Sequence, residues 1–158
     1  MAVDRDVVGD VAAALEEGGW NRALARVLEH FGADSGTIHL LEADGVLHLA
    51  AASAGIPPIV LDTVREVPVG KGMAGLAVER RQPVNACNIQ TDASGDVRPG
   101  AKATGLQGSI VVPMLRGDLA VGALGIANHH ERDFTDAEAA LLLEIGGMLA
   151  HRRRPIAE

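Results

Sequence analysis

The stretch Ser109-Ile-Val-Val-Pro-Met-Leu115, Arg116-Gly117-Asp118, Leu119-Ala-Val-Gly-Ala-Leu-Gly-Ile-Ala-Asn128 decides the fold. Two runs rich in Val, Ile and Leu flank a short polar turn with a glycine, which predicts an antiparallel hairpin. In the second run Ala123, Gly125 and Ala127 alternate with Leu124 and Ile126. The period-two pleat therefore puts small residues on one face and large ones on the other. If the large face packs under helices, the small face leaves volume above the sheet, lined by Ala123 and Gly125 with Cys87, Gln107 and Ser109 near its rim. Helices packed closely on the small side would satisfy the same alternation, because sequence does not fix the register.

Outward from this hairpin, Thr135-Asp-Ala-Glu138 reads as a capping box opening an apolar helix through about Leu149. Leu141, Leu142, Leu143, Ile145, Met148 and Leu149 occupy more than one stripe of it, a surplus that predicts a homodimer through the terminal helices. Gly146-Gly147 would let another helix approach closely, and Arg152-Arg153-Arg154 at its end suits the helix dipole. Upstream, Thr37 to Glu42 and Val46 to Ala52 flank Ala43-Asp44-Gly45 as a first hairpin. Pairing Ile38 and Leu40 with Leu47 and Leu49 on one face sets His39 opposite or near His48 on the other. Two imidazoles so placed could share a metal or respond to pH near about 6.5, although no carboxylate or thiol accompanies them at ligand spacing and a polar sheet face is the plainer reading.

Between the hairpins the chain predicts a short helix from Pro57-Pro58 to Val64, a helical run from Met73 to Arg80, a short strand at Pro83-Val-Asn85 and a polar loop over Asn88 to Gly105. Asp92, Ser94, Asp96, Arg98 and Lys102 give that loop donors and acceptors suited to a small polar ligand, or simply to water. From Val7 to Phe31 apolar spacing is helical with a break at Gly18-Gly19, while His30 and His151 lie on helices without a partner at useful spacing. Two hairpins, a helix-containing insertion and helices at both ends make an α+β domain whose terminal helices cover one sheet face.

Composition narrows the function classes. The 158 residues carry a net charge of −7, which opposes phosphate backbones, so nucleic acid is not an expected partner. The single cysteine, Cys87, permits no intramolecular disulfide and fits a reducing cytoplasm; the charged start and lack of a long uncharged run give no expectation of secretion or a membrane partner. Aromatic residues are 2% of the chain, only Trp20, Phe31 and Phe134, so cofactors held by stacking are not expected. No cofactor and no metal is predicted. Gly70-Lys-Gly-Met-Ala-Gly75 fits a dinucleotide fingerprint, but no acidic residue follows at a strand end; the helix start at Met73 and Ala74 can still face an anionic ligand group.

Pro68-Val-Gly-Lys-Gly-Met-Ala-Gly-Leu-Ala77, then Arg81-Gln-Pro-Val84, Val112-Pro-Met-Leu115, Gly117, Val121-Gly122, Leu124, Asn128 and Phe134-Thr-Asp-Ala-Glu138 together resemble a GAF domain, from about Asn21 to Leu149. The resemblance implies a profilin-like, six-stranded antiparallel sheet with a helical layer that often dimerises on one face and a loop-covered small-molecule pocket on the other. It divides the chain into a helical extension over 1–19, the domain over 20–152 and a tail over 153–158. It implies a sensory or regulatory module, here binding a small polar metabolite and acting on a separate signalling protein. The candidate ligand-binding residues are His39, Met73, Ala74, Cys87, Asp92, Ser94, Asp96, Arg98, Gln107, Ser109, Ala123 and Gly125. Against the family's cyclic-nucleotide signature, Asn-Lys, then Phe, then Asp-Glu three residues on, this chain reads Asn128-His129, Phe134 and Glu138-Ala139, so the Lys is replaced and the Asp-Glu pair is absent. Free methionine-(R)-sulfoxide reductases also resemble this chain, with Cys87 as the nucleophile needing a lowered pKa and an external thiol; a small apolar wall residue is the other reading of Cys87. A ligand-free protein-interaction module is the third reading.

Overall fold

A computed structural model describes residues 2–92, 94 and 105–153, with side chains from Val7 onward. Asp96, Arg98, Lys102 and Arg154 lie outside the described residues. The elements run α1 (Ala2–Phe31), β1 (Ser35–Leu41), β2 (Val46–Ala52), α2 (Pro58–Val64), β3 (Glu66–Pro68), α3 (Gly72–Arg80), β4 (Val84–Ala86), β5 (Ser109–Arg116), β6 (Leu119–Ala127) and α4 (Asp136–Arg152). The strands form one antiparallel six-stranded sheet in the order β3-β2-β1-β6-β5-β4.

The break expected at Gly18-Gly19 is present, since Gly19 has φ 77° and ψ −164° inside α1. In a straight helix Asp10 and Arg26 would stand about 24 Å apart. Instead the Arg26 guanidinium donates to the Asp10 carboxylate at 2.8 Å, so α1 doubles back on itself. His30 closes the same cluster 2.9 Å from Asp10, and so has the partner its helical spacing did not suggest.

α1 and α4 cover one face of the sheet. Leu24 and Val27 of α1, Leu142, Ile145 and Leu149 of α4, and Ile38, Ile110, Val112, Leu124 and Ile126 of the strands make one core. Each such side chain contributes roughly 1.5–3 kcal/mol by leaving water. The extension expected over 1–19 joins this core through Val7 and Val11. Leu141, Leu143 and Met148 are half-buried against it, so part of the apolar surplus of α4 is used within the chain. Gly146 faces the sheet, where an added Cβ would stand 3.2 Å from the Pro113 carbonyl oxygen. The close approach expected of a second helix is taken by the chain's own β5.

The ends of α4 are tied down. Glu138 N–H donates to Thr135 Oγ1 at 3.1 Å and Thr135 N–H to Glu138 Oε1 at 3.0 Å, completing the expected capping box. At the other end Arg116 donates to the carbonyls of Ala150 and Arg153. Arg153, read from sequence as a dipole cation, is a strap: its side chain is 8% exposed and reaches the Leu41 and Val121 carbonyls and Glu42.

The first hairpin departs from expectation. Thr37 and Ile38 pair with Ala52 and Ala51, but His39 pairs with Leu49 and Leu40 with His48, because the register shifts between Ile38 and His39. The bulge adds one residue to β2 and flips the alternation beyond it. Ile38 stays with the helical core, while Leu47 joins the cluster on the opposite face with Val67, Met73 and Ala77. His39 and His48 therefore occupy opposite faces and share nothing. His48 sits outside, 2.8 Å from Asp44 and 3.7 Å from Glu66, and these carboxylates, Asp44 first, raise its pKa. Among the described residues no group of three or more His, Cys, Asp or Glu side chains is placed to hold a metal. β3, unread in the sequence, adds an edge strand of three residues.

Candidate functional site

The sheet face away from α1 and α4 carries a cavity of about 290 Å³. Its floor follows the period-two pattern: Thr37 and His39 from β1, Ser109 and Val111 from β5, Gly125 and Ala127 from β6. Thr37 pairs with Gly125 and Val111 with Gly125, so a residue without a side chain lies at the centre of the floor. A Cβ added at Gly125 would meet Val111 Cγ2 at 3.1 Å and Thr37 Oγ1 at 3.7 Å, which shows how directly that glycine makes room. One wall is α2 and the segment before it, with Ile56, Val60 and Val64; another is the start of α3, with Met73 and Ala74. Ile89 and Leu106, flanking the middle loop, and Asp34 and His129 complete it.

α3 is held against β3 by a close approach. A Cβ on Gly75 would come 2.4 Å from the Pro68 carbonyl oxygen, so only glycine lets the helix start beside this strand. Its N-cap, Lys71, gives no side-chain bond to the first turn. The first N–H groups of a helix have no partner inside it. Those of Gly72, Met73 and Ala74 belong to residues that line the cavity.

His39 is the unusual group. It is 3% exposed, and its Nε2 lies 2.8 Å from the Val64 carbonyl oxygen. A carbonyl only accepts, so Nε2 carries the proton and Nδ1 keeps a lone pair. Nδ1 is buried with no partner. An unsatisfied buried acceptor costs about 1–3 kcal/mol. Burial also pushes the imidazole pKa below its ordinary value, against the opposing pull of the Val64 carbonyl, so the ring stays neutral.

Asp34, in the cavity wall, accepts from His129 N–H at 2.8 Å and Asn128 Nδ2 at 3.3 Å, which hold its carboxyl below the usual range. Asn128 is 1% exposed. It also donates to the Gly32 carbonyl at 2.9 Å, and its Oδ1 accepts from Arg132 Nη1 at 2.8 Å. Arg132 in turn bonds Glu138 Oε2 at 2.6 Å and stacks 4.4 Å over the Phe134 ring. A continuous set of bonds thus runs from the cavity wall to the first turn of α4.

Of the residues proposed from sequence, the structure places His39, Met73, Ala74, Ser109 and Gly125 in the lining. Ala123 packs in the apolar cluster beside α3. Gln107 donates to the His129 carbonyl at 3.0 Å and is not a lining residue. Asp92 and Ser94 close a local turn, Ser94 Oγ donating to Asp92 Oδ2 at 2.6 Å. Cys87 is exposed, outside the lining, which overturns its reading as an apolar wall residue. Loss of hydration, then the Asp133 and Glu131 carboxylates, push its thiol pKa up, the opposite of what a nucleophile requires. Alternation along β4 predicts this: Val84 and Ala86 point in, Asn85 out, and Cys87 continues outward. Sequence reasoning missed the α2 wall, Thr37 and Val111. The last two were readable as the period-two neighbours of His39 and Ser109.

Comparison with known proteins agrees with this architecture. The profile of the GAF domain matches residues 20–151. The free methionine-R-sulfoxide reductase of Neisseria meningitidis, solved in complex with its substrate, is 20% identical, with 96% of this chain and 88% of that chain covered at a TM-score of 0.76. The GAF domain of a phosphoenolpyruvate-protein phosphotransferase from Coxiella burnetii is 22% identical, with 95% and 89% covered at 0.74. Its counterpart from Acinetobacter is 20% identical, with 94% and 88% covered at 0.74. At these identities the likeness is one of fold. No curated protein matches the chain. Among the described residues no helix is long and apolar enough to cross a membrane.

Proposed function

Since this chain belongs to the GAF domain family, whose profile spans most of it, we propose that it is a sensory domain that encloses a small molecule in the sheet-face cavity and reports occupancy through its terminal helices to a signalling partner. The observation that carries this reading is the cavity of about 290 Å³ over a sheet floor where Gly125 and Ala127 leave room between Thr37, His39 and Val111. A cavity kept only for packing would be filled by larger side chains at Gly125 and Ala127. The small polar metabolite, the homodimer through α1 and α4 and action in the cytoplasm on a separate output protein are parts of the same proposal. The half-buried Leu141, Leu143 and Met148 support the dimer.

Native mass spectrometry of gently purified protein tests it. The expected result is a dimer with a reproducible small extra mass, which Ala74→Phe loses because the ring fills the cavity. A bare protein whose melting temperature no metabolite raises would refute the sensor reading and favour a ligand-free interaction module. The fold likeness to free methionine-R-sulfoxide reductases keeps a second reading in view. Against it stand the position of Cys87 outside the lining and its raised thiol pKa.

A further inference from the structure

The two arms of α1, residues 2–18 and 20–31, are joined by a single non-helical residue, Gly19, at φ 77° and ψ −164°. Antiparallel helices are ordinarily joined by about two to five residues. The backbone conformation of Gly19 is open almost only to glycine. Gly18 is just as constrained: an added Cβ would stand 2.9 Å from Arg22 Cβ, whereas adjacent turns of a straight helix keep such atoms about 5–6 Å apart. A hinge this short and strained favours exchange of the element it carries with a second copy.

The contacts across the hinge have the symmetry that such an exchange needs. Glu17 lies 3.9 Å from Arg22, and Asp10 lies 2.8 Å from Arg26 and 2.9 Å from His30. The midpoint of each pair falls within residues 18–20. If Gly19 turns helical, each chain carries one straight rod of 30 residues, about 45 Å long. Two rods laid antiparallel about a twofold axis at residues 18–20 remake every pair between chains, Asp10 of one with Arg26 and His30 of the other. The two glycines then sit where the rods cross, and the backbone groups left open on either side of Gly19 regain helical partners. The groove that the arm would leave is specific. Val7 is 4% and Val11 0% exposed in the core, and Glu16 accepts from Arg152 of α4 at 2.8 Å. Its fitting occupant is the same arm of a second copy. The arm lies ahead of residues 20–151, the part that the GAF profile matches, so the hinge stands where the family's domain begins.

We propose that the homodimer of the sensor reading, on which this inference rests, is built by exchange of these arms: each chain opens at Gly19, and its residues 2–18 fill the groove beside α1 and α4 of the other copy. Nitroxide labels at Gly9→Cys and Glu29→Cys in a Cys87→Ser chain test it. Both labelled positions are exposed, and a Cβ at Gly9 meets nothing within 4 Å. The labelled chain is refolded with an excess of unlabelled chain, so that only distances within one chain are read. In the dimer fraction, pulsed electron spin resonance should give about 30 Å, the span of 20 helical residues. Arms still folded back would hold the labels within about 15 Å. Gly19→Ala favours the straight rod about fivefold per chain through helix propensity, so the association constant should rise about twentyfold or more. Three glycines inserted after Gly19 lengthen the hinge and interrupt the rod, and the constant should fall about tenfold or more. Circular dichroism checks that both variants fold. A dimer whose labels stay within about 15 Å, or one that neither variant strengthens nor weakens, would overturn the exchange and keep the homodimer. Monomer alone at every concentration, for the unmutated chain and for Gly19→Ala, would overturn both, while an extra mass lost in Ala74→Phe would still uphold the ligand-binding part of the sensor reading.

Discussion

Asn128→Ala removes three hydrogen bonds at once, to the Gly32 carbonyl at 2.9 Å, to Asp34 at 3.3 Å and from Arg132 at 2.8 Å. A neutral bond contributes about 1 kcal/mol net and one to a charged partner about 1.5–3 kcal/mol. The full loss is not expected, because Arg132 keeps Glu138 and the Phe134 ring, and Asp34 keeps the His129 N–H. Both partners also have some access to water, which halves the charged contributions and leaves about 2–4 kcal/mol. For a chain of this size each kcal/mol moves the melting temperature by about 2–4 °C, so a drop of about 9 °C is expected. Asn128→Asp sharpens the test. It keeps an acceptor for Arg132 but buries a carboxylate beside Asp34 and turns a donor toward Gly32 into a second acceptor. It should be less stable than the alanine variant at neutral pH, and the gap should close as the new acid protonates toward about pH 4. Scanning calorimetry of the three proteins over this range decides the matter. A drop under about 3 °C for Asn128→Ala, or an aspartate variant more stable than the alanine one at pH 7, would refute the network as a structural element.

Two further outcomes follow from the site. The folded pKa of His39 lies below its unfolded value, so its contribution is full above about pH 6.5 and is lost as pH falls from there through the folded pKa. Urea titrations from about pH 5 to 7.5 should show that acid-side slope in the unmutated chain and a smaller one in His39→Gln; equal slopes would contradict a buried neutral imidazole. His48 works in the opposite sense. Its raised pKa gives a contribution that is full below about pH 6.5 and lost as pH rises through the folded value, so the comparison with His39→Gln is what isolates His39. Cys87→Ser, at an exposed position outside the cavity, should keep the bound mass and change stability by no more than about 0.5 kcal/mol. Loss of ligand or of any sulfoxide-reducing activity in that variant would return the cysteine to the site.

The second hairpin and α4 were legible because their signals are local. Alternation over Leu119–Ala127 and the capping box at Thr135 need nothing from the rest of the chain. The small face at Gly125 and Ala127 pointed to the cavity floor for the same reason. The first hairpin was not legible in register. Val46 to Ala52 is apolar at nearly every position except His48, so a one-residue bulge buries acceptable side chains on either face, and the pattern cannot choose between them. Hence the sequence pattern alone sets His39 opposite or near His48, whereas the bulge puts His39 on the cavity face and His48 on the other. The α2 wall escaped because Val60 and Val64 read as an ordinary short helix, and only the tertiary position of that helix makes them lining residues. Arg153 looked like any cation at a helix end; its function is set by the carbonyls of Leu41 and Val121, distant in sequence.

These arginines bear on how a cavity on one face of the sheet can speak to a helix on the other. α4 is fixed at its end by Arg116 and Arg153 and at its start by Arg132 through Glu138. Glu138 divides its carboxylate, one oxygen capping Thr135 N–H and the other taking Arg132. Under the sensor reading, a ligand that moved Asp34 or His129 would change the hold of Asn128 on Arg132, and with it the balance at Glu138. The energy at stake is that of a helix cap and a half-buried ion pair, about 1–2 kcal/mol. This is within the 1–3 kcal/mol range of most coupling between sites, enough to shift a two-state equilibrium roughly five- to thirtyfold. Because the other end of α4 is pinned to β1 and β6, a change at the start would tilt the helix about its fixed end. Under the sensor reading, Asn128 is thus where the signal from the cavity enters α4, and the variant that weakens the fold should also leave any bound ligand unable to alter how the terminal helices pack.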